Sequence, residues 1–150
     1  MPHGHMDGGA FIFEQNGVNW AIDLGYDSYG TLEKKGIGIW DNSQNSTRWT
    51  VFRYGKESHN IIQINGKRQN VNKGKATITK FTDNGSVLDL TPLYTPDAEK
   101  VTRHLSLLPN GGMKCVDEIR GLKPGAAVKW QFCTKTVPTI GEDGSILLSR

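Results

Sequence analysis

At 150 residues, with 36% hydrophobic and 22% charged residues, the chain has the length of one domain and enough apolar content for a core, which excludes a disordered or low-complexity polypeptide. No apolar run reaches the length of a membrane span and no charged-apolar-small leader opens the chain, so the expectation is no membrane partner. The net charge of +3 is mild, and Lys34-Lys35, Lys67-Arg68, Lys73 and Lys75 are not interleaved with aromatics into a basic stripe. That argues against nucleic acid and reads more simply as charge on strand edges.

In chain order, the first predicted element is an extended segment, His3-Gly4-His5-Met6-Asp7-Gly8-Gly9, running into Phe11. Side chains two apart in an extended segment share a face, so His3, His5 and Asp7 are candidates for one metal or acid/base site. Gly4-His5-Met6 is also the remnant that cloning sites leave. The cluster gains weight from downstream residues: Asp23 in a predicted strand over 18–24, and His59 in Ser58-His59-Asn60 at the head of another. Two imidazoles and one carboxylate suit zinc or a similar divalent ion with one position left open.

The Asn16-Gly17 pair predicts a two-residue hairpin turn that sets Phe11 against Ile22, Phe13 against Trp20 and Ala10 against Asp23. Phe11, Phe13, Trp20 and Ile22 then form a core face. In that register His5 has the parity of Phe11 and points away from Asp23, so a shared metal requires a bulge or bend at Gly8-Gly9.

Residues 25–46 read as a long irregular connection carrying Tyr26, Tyr29 and Trp40, whose rings suit either stacking on sugar faces or pinning the loop to the sheet. Arg53 suits contact with an acidic polymer or an ion pair. Strands are predicted over 76–81, 86–90, 101–108, 113–119 and 128–134, with turns at Asn65-Gly66, Asn84-Gly85, Asn110-Gly111 and Asp143-Gly144. No stretch holds helical spacing for three turns, so the fold class is all-β, an antiparallel β-sandwich. Trp20 and Trp130 read as core, Trp49 as core or cleft lining, and His104 as an ordinary strand residue. Asp117 and Glu118 are adjacent on a strand and face opposite ways, so they cannot act together on one bond. Cys115 and Cys133 read as buried free thiols, with a disulfide still open if the protein is exported.

Taken together, His3-Gly4-His5-x-Asp7-x-Gly9-x-Phe11, Trp20-Ala21-Ile22-Asp23-Leu24-Gly25, and Arg53-Tyr54 shortly before Ser58-His59-Asn60 and Asn65-Gly66 closely resemble the heparinase II/III-like polysaccharide lyases. The resemblance continues more faintly through Asp89-Leu90-Thr91, Val101-Thr102-Arg103-His104 and Val116-Asp117. It implies a multidomain enzyme, usually periplasmic or secreted, in which an α/α toroid precedes β-sandwich layers. Residues 1–150 then correspond to the beginning of the sandwich, a partial domain whose missing partner is the toroid.

The resemblance also implies a metal, commonly zinc, held by His5, Asp23 and His59, with His3 near the catalytic centre for proton transfer or contact with a uronate. Tyr29, Arg53 and Trp40 are the candidate substrate-binding residues. The implied reaction is β-elimination of a uronate-containing acidic polysaccharide, such as a heparin-, heparan sulfate- or alginate-like glycan. Without the toroid, this chain is expected to bind metal and to show no lyase activity. Two other classes stay open: a non-catalytic carbohydrate-binding sandwich, which needs the aromatic rings but not the metal residues, and a structural domain, which needs neither.

Overall fold

Short β-prone runs between glycine- and asparagine-bearing turns form ten strands in the computed structural model, which describes residues 3–72 and 74–149. Lys73, one of the basic residues named above, lies outside the described residues, as do both chain ends at Met1-Pro2 and Arg150. In chain order the strands are β1 (Phe13–Gln15), β2 (Val18–Ala21), β3 (Ile62–Ile64), β4 (Thr77–Thr82), β5 (Gly85–Asp89), β6 (Lys100–Leu107), β7 (Met113–Arg120), β8 (Val128–Trp130), β9 (Val137–Ile140) and β10 (Ile146–Ser149). Two short helices join them, α1 (Tyr29–Lys34) and α2 (Thr91–Tyr94). Among the described residues, no helix is long and apolar enough to cross a membrane.

All pairings are antiparallel. β4-β5-β6-β7 make a four-stranded sheet, while β1-β2, β3-β8 and β9-β10 form two-stranded pairs. The fold is an all-β sandwich, and its layers meet where Ile62 and Ile64 of β3 pack with Leu90, Leu93, Tyr94, Ala98 and Val101. Leu88 and Ile119 of the large sheet close that core. Burying each of these large aliphatic side chains contributes on the order of 2 kcal/mol.

The first hairpin departs from the expected register. Gln15 faces Val18 and Glu14 faces Asn19 as the turn dictates, with Asn16 and Gly17 at φ +53° and +72°, but Phe13 then faces Ala21. Trp20 is the extra residue of a bulge, so the expected Phe13–Trp20 pair does not form. Phe11 and Ile22 are buried but lie beyond the strands. The chain instead turns at 7–10, where the Ala10 N–H donates to the Asp7 carbonyl at 2.8 Å and Gly9 takes φ +85°.

Other expectations also change. Asn65-Gly66 is a tight turn, but it does not join paired neighbours, because β3 pairs with the distant β8. The segment 25–46 contains α1 rather than being wholly irregular. Trp130 is 48% exposed and Trp20 half-buried, so neither is core: both line an open apolar groove of about 380 Å³ with Phe11, Phe13, Met113 and Phe132. Trp49 is buried, its indole N–H donating to the Ser43 carbonyl at 2.8 Å. Cys115 and Cys133 are free thiols, half-buried rather than fully buried.

Candidate metal centre and an adjoining histidine-tyrosine pair

Three separate backbone segments converge on one point, and each is fixed by identifiable bonds. The His5 segment is tethered by the Met6 N–H to the Tyr54 carbonyl at 2.9 Å and by the turn at Gly8-Gly9. That turn is held by Gln69, whose side chain accepts from the Gly8 N–H at 3.0 Å and donates to the Gly8 carbonyl at 2.8 Å. Asp23 follows β2, and the adjacent Ile22 N–H donates to the Cys133 carbonyl at 3.0 Å. His59 sits between a 3₁₀ turn at Lys56–Ser58 and β3, its carbonyl accepting from Ile61 N–H and from the Gln131 amide, both at 2.9 Å.

One side chain ties the segments to each other. Asn60 Nδ2 donates to the Phe11 and Ile22 carbonyls at 2.8 and 3.0 Å, while its Oδ1 accepts from the Cys133 N–H. Arg103 on β6 fastens this layer to the large sheet: its Nη1 donates to the Gly9 and Asn60 carbonyls at 2.6 and 2.7 Å. The same guanidinium makes a two-pronged bond to Asp117, each contact 2.8 Å.

The outcome is a His5, Asp23 and His59 cluster whose ligand atoms lie within 4.8 Å of one another. His59 Nδ1 stands 3.2 Å from Asp23 Oδ2, close to the separation of about 3.3 Å expected for neighbouring donors on a tetrahedral zinc ion. The His59 side chain is fully buried, and among the described residues its Nε2 has no partner. Burial, then the neighbouring His59 imidazole, lowers the pKa of His5 below its usual 6.5, against the opposing pull of Asp7 and Asp23. His5 is therefore neutral near pH 7, the form that ligates. Donor types and distances fit a divalent metal, so this is a possible metal site.

Asp7 does not join the cluster. It is exposed, and its carbonyl closes the turn. His3 points elsewhere too: its Nδ1 lies 3.0 Å from the Tyr29 hydroxyl, and the two rings stack at 5.7 Å. Trp40 meets both rings edge-on at 5.8 and 5.4 Å, held by its own indole N–H bond to Glu33 at 2.7 Å. His3, Tyr29 and Trp40 thus form one patch, with Tyr54 between Tyr29 and His5. Tyr26 is 74% exposed and lies outside these ring contacts. Arg53 pairs with Asp27 at 3.2 Å, both partly exposed. His104 lies on β6, 4.0 Å from Glu118, while Asp117 turns inward to Arg103, so the adjacent carboxylates do part to opposite faces.

Sequence reasoning missed Arg48, Asn60, Gln69 and Arg103 as site-shaping residues. For Arg103 a signal existed: its parity with Val101 places it on the inner face of β6, opposite the similarly placed Asp117. Arg48, Asn60 and Gln69 carried none, since the Gly4, Phe11, Ile22 and Gly8 carbonyls they bond are backbone groups far away in sequence.

Fold and cluster together define a β-sandwich domain with a possible metal site beside an exposed aromatic patch. The family model for "Heparinase II/III-like, C-terminal" matches residues 1–150, and the chain belongs to that family, which points to a polysaccharide lyase. No curated protein matches the sequence.

Proposed function

We propose that this chain is the metal-bearing sandwich portion of a lyase that cleaves uronate-containing acidic polysaccharides by β-elimination, and that its metal is zinc. The observation that carries the reading is the convergence of His5, Asp23 and His59, their ligand atoms within 4.8 Å of one another, in a chain of the heparinase II/III-like family. When bound, the ion neutralises the clustered donors and orders the junction between their three segments.

The chemistry falls to the adjoining pair. β-Elimination breaks the C5–H and C4–O4 bonds of the uronate and forms a C4–C5 double bond, so one group must take a proton and one must give it, with no further reactant. His3 and Tyr29 are hydrogen-bonded to each other and suit the holding and passing of that proton. We assign proton transfer to His3, and sugar contact to Tyr29 and Trp40, whose edge-on rings offer an apolar surface. Arg53 contributes charge for the polymer, its bond to Asp27 being partly exposed. The remaining partners belong to the α/α toroid of the same protein. The reading extends to a periplasmic or secreted location, where polymeric glycans are met.

The test is metal content of the purified chain with and without His5→Ala. About one zinc per chain, lost in the variant, supports the assignment; no divalent ion in either sample overturns it. Unsaturated uronate products, followed by ultraviolet absorbance, are expected only when the toroid is present.

A further inference from the structure

We infer that Arg48 is a positioning residue that sets His3 and His5 at once, by gripping the peptide between them. The inference rests on the proposed metal role of His5. Arg48 lies in the 3₁₀ turn Thr47–Thr50, where its N–H donates to the capping Ser46 hydroxyl at 3.0 Å. It is fully buried, and among the described residues it has no carboxylate partner. A buried guanidinium without a counter-charge is costly, so its retention asks for a role other than an ion pair.

Its donors identify that role. Nε and Nη2 both donate to the Gly4 carbonyl, at 3.1 and 2.8 Å, and Nη1 donates to the Ile39 carbonyl. Gly4 separates the two histidines. A fork closed on that carbonyl fixes the peptide from which His3 departs toward Tyr29 and His5 toward His59 and Tyr54. The guanidinium also sits 4.6 Å from the Tyr54 ring centroid and 6.0 Å from that of Tyr29, so it backs the ring that His3 bonds. One residue thereby links the metal cluster to the His3-Tyr29 pair. The fork and the flat face are both needed, and lysine supplies neither.

The experiment uses the 150-residue chain loaded with cobalt(II) as a spectroscopic stand-in for zinc, comparing the unaltered protein, Arg48→Lys, Arg48→Gln and Ile64→Ala. Ile64 belongs to the core away from the Gly4 peptide and controls for lost stability alone. The expected result is that the Arg48 variants keep their far-ultraviolet circular dichroism, bind cobalt about tenfold or more weakly, and show an altered visible spectrum at saturation. Ile64→Ala is expected to keep affinity and spectrum. In the metal-free chain, the imidazole NMR signals of His3 and His5 are both expected to shift in Arg48→Lys while that of His104 stays.

A folded Arg48→Lys chain with unchanged cobalt affinity, spectrum and imidazole signals overturns the inference, and so does unfolding of both Arg48 variants, which would make Arg48 a fold support only. Failure of the unaltered chain to take cobalt, with the imidazole shifts still present, would refute the metal reading while leaving the grip on both histidines standing.

Discussion

His59 Nδ1 and Asp23 Oδ2 lie 3.2 Å apart, and among the described residues this is the single polar contact of the imidazole, whose other nitrogen is buried on the far side of the ring. The pair joins a side chain shut off from solvent to one that is 42% exposed, so the cluster has one solvent-facing member.

That asymmetry makes Asp23 the informative position for a charge test. Asp23→Asn keeps the size and one hydrogen-bonding oxygen but removes the anion that a divalent metal requires. Zinc affinity, measured by competition with a chromophoric chelator, is expected to drop by more than about tenfold. Equal affinity in the variant would remove Asp23 from the ligand set.

The Arg103–Asp117 pair is buried, at 0% and 8% side-chain exposure, and fastens the Gly9 and Asn60 carbonyls to the large sheet. Asp117→Asn leaves the guanidinium without its counter-charge and is expected to cost about 3–5 kcal/mol in urea unfolding. Replacing both partners with apolar residues, Arg103→Met with Asp117→Leu, should recover much of that stability. Zinc affinity should fall in the double variant, which, unlike Asp117→Asn, removes the Arg103 donor from the Gly9 and Asn60 carbonyls.

Asp89 gives the acid dependence. Bonds from Lys100 and Thr91 lower its pKa to about 2, against about 3.9 in an unfolded chain. A depressed carboxyl adds stability above the unfolded value and loses it as pH falls through the folded one. Melting temperature is therefore expected to fall between about pH 4 and pH 2, and to fall less in Asp89→Asn. The Lys100 side chain is 49% exposed, so solvent screening keeps the difference small. Identical acid limbs in the two proteins would rule the contact out as a contributor.

Two glycines separate backbone strain from crowding. Gly17 has φ +72° with open space where a Cβ would stand, so Gly17→Ala carries only the left-handed backbone cost, about 1 kcal/mol. Gly9 has φ +85° and would place its Cβ 2.7 Å from a Leu90 methyl. Gly9→Ala is expected to be the more damaging by thermal unfolding, and the only one of the two to weaken metal binding, because the Gly8-Gly9 turn delivers His5. Equal effects on both properties would contradict that role for the turn.

Much of the fold was legible because its signals are local. The strands β4 to β7 follow from alternating β-prone residues between turns, and Asn16-Gly17 adopts the positive φ values that a two-residue hairpin needs. The β3–β8 pairing was not legible, because it joins residues 62–64 to 128–130 and no local pattern states which strands meet. Trp130 misled for a related reason: strand alternation says that a face exists, and only packing decides whether another layer covers it.

For the site, the sequence by itself determined the chemistry on offer: two histidines and an aspartate of metal-binding type, a third histidine two residues away, and glycines where the chain had to turn. Tertiary structure alone decided the grouping. His5, Asp23 and His59 meet because the Asn60 amide and the Arg103 guanidinium bond backbone carbonyls from segments far apart in sequence, while Arg48 holds the peptide that sends His3 the other way. Backbone carbonyls are the same at every residue, so a bond to one leaves no mark in the sequence, and its partner becomes identifiable only once the chain has folded.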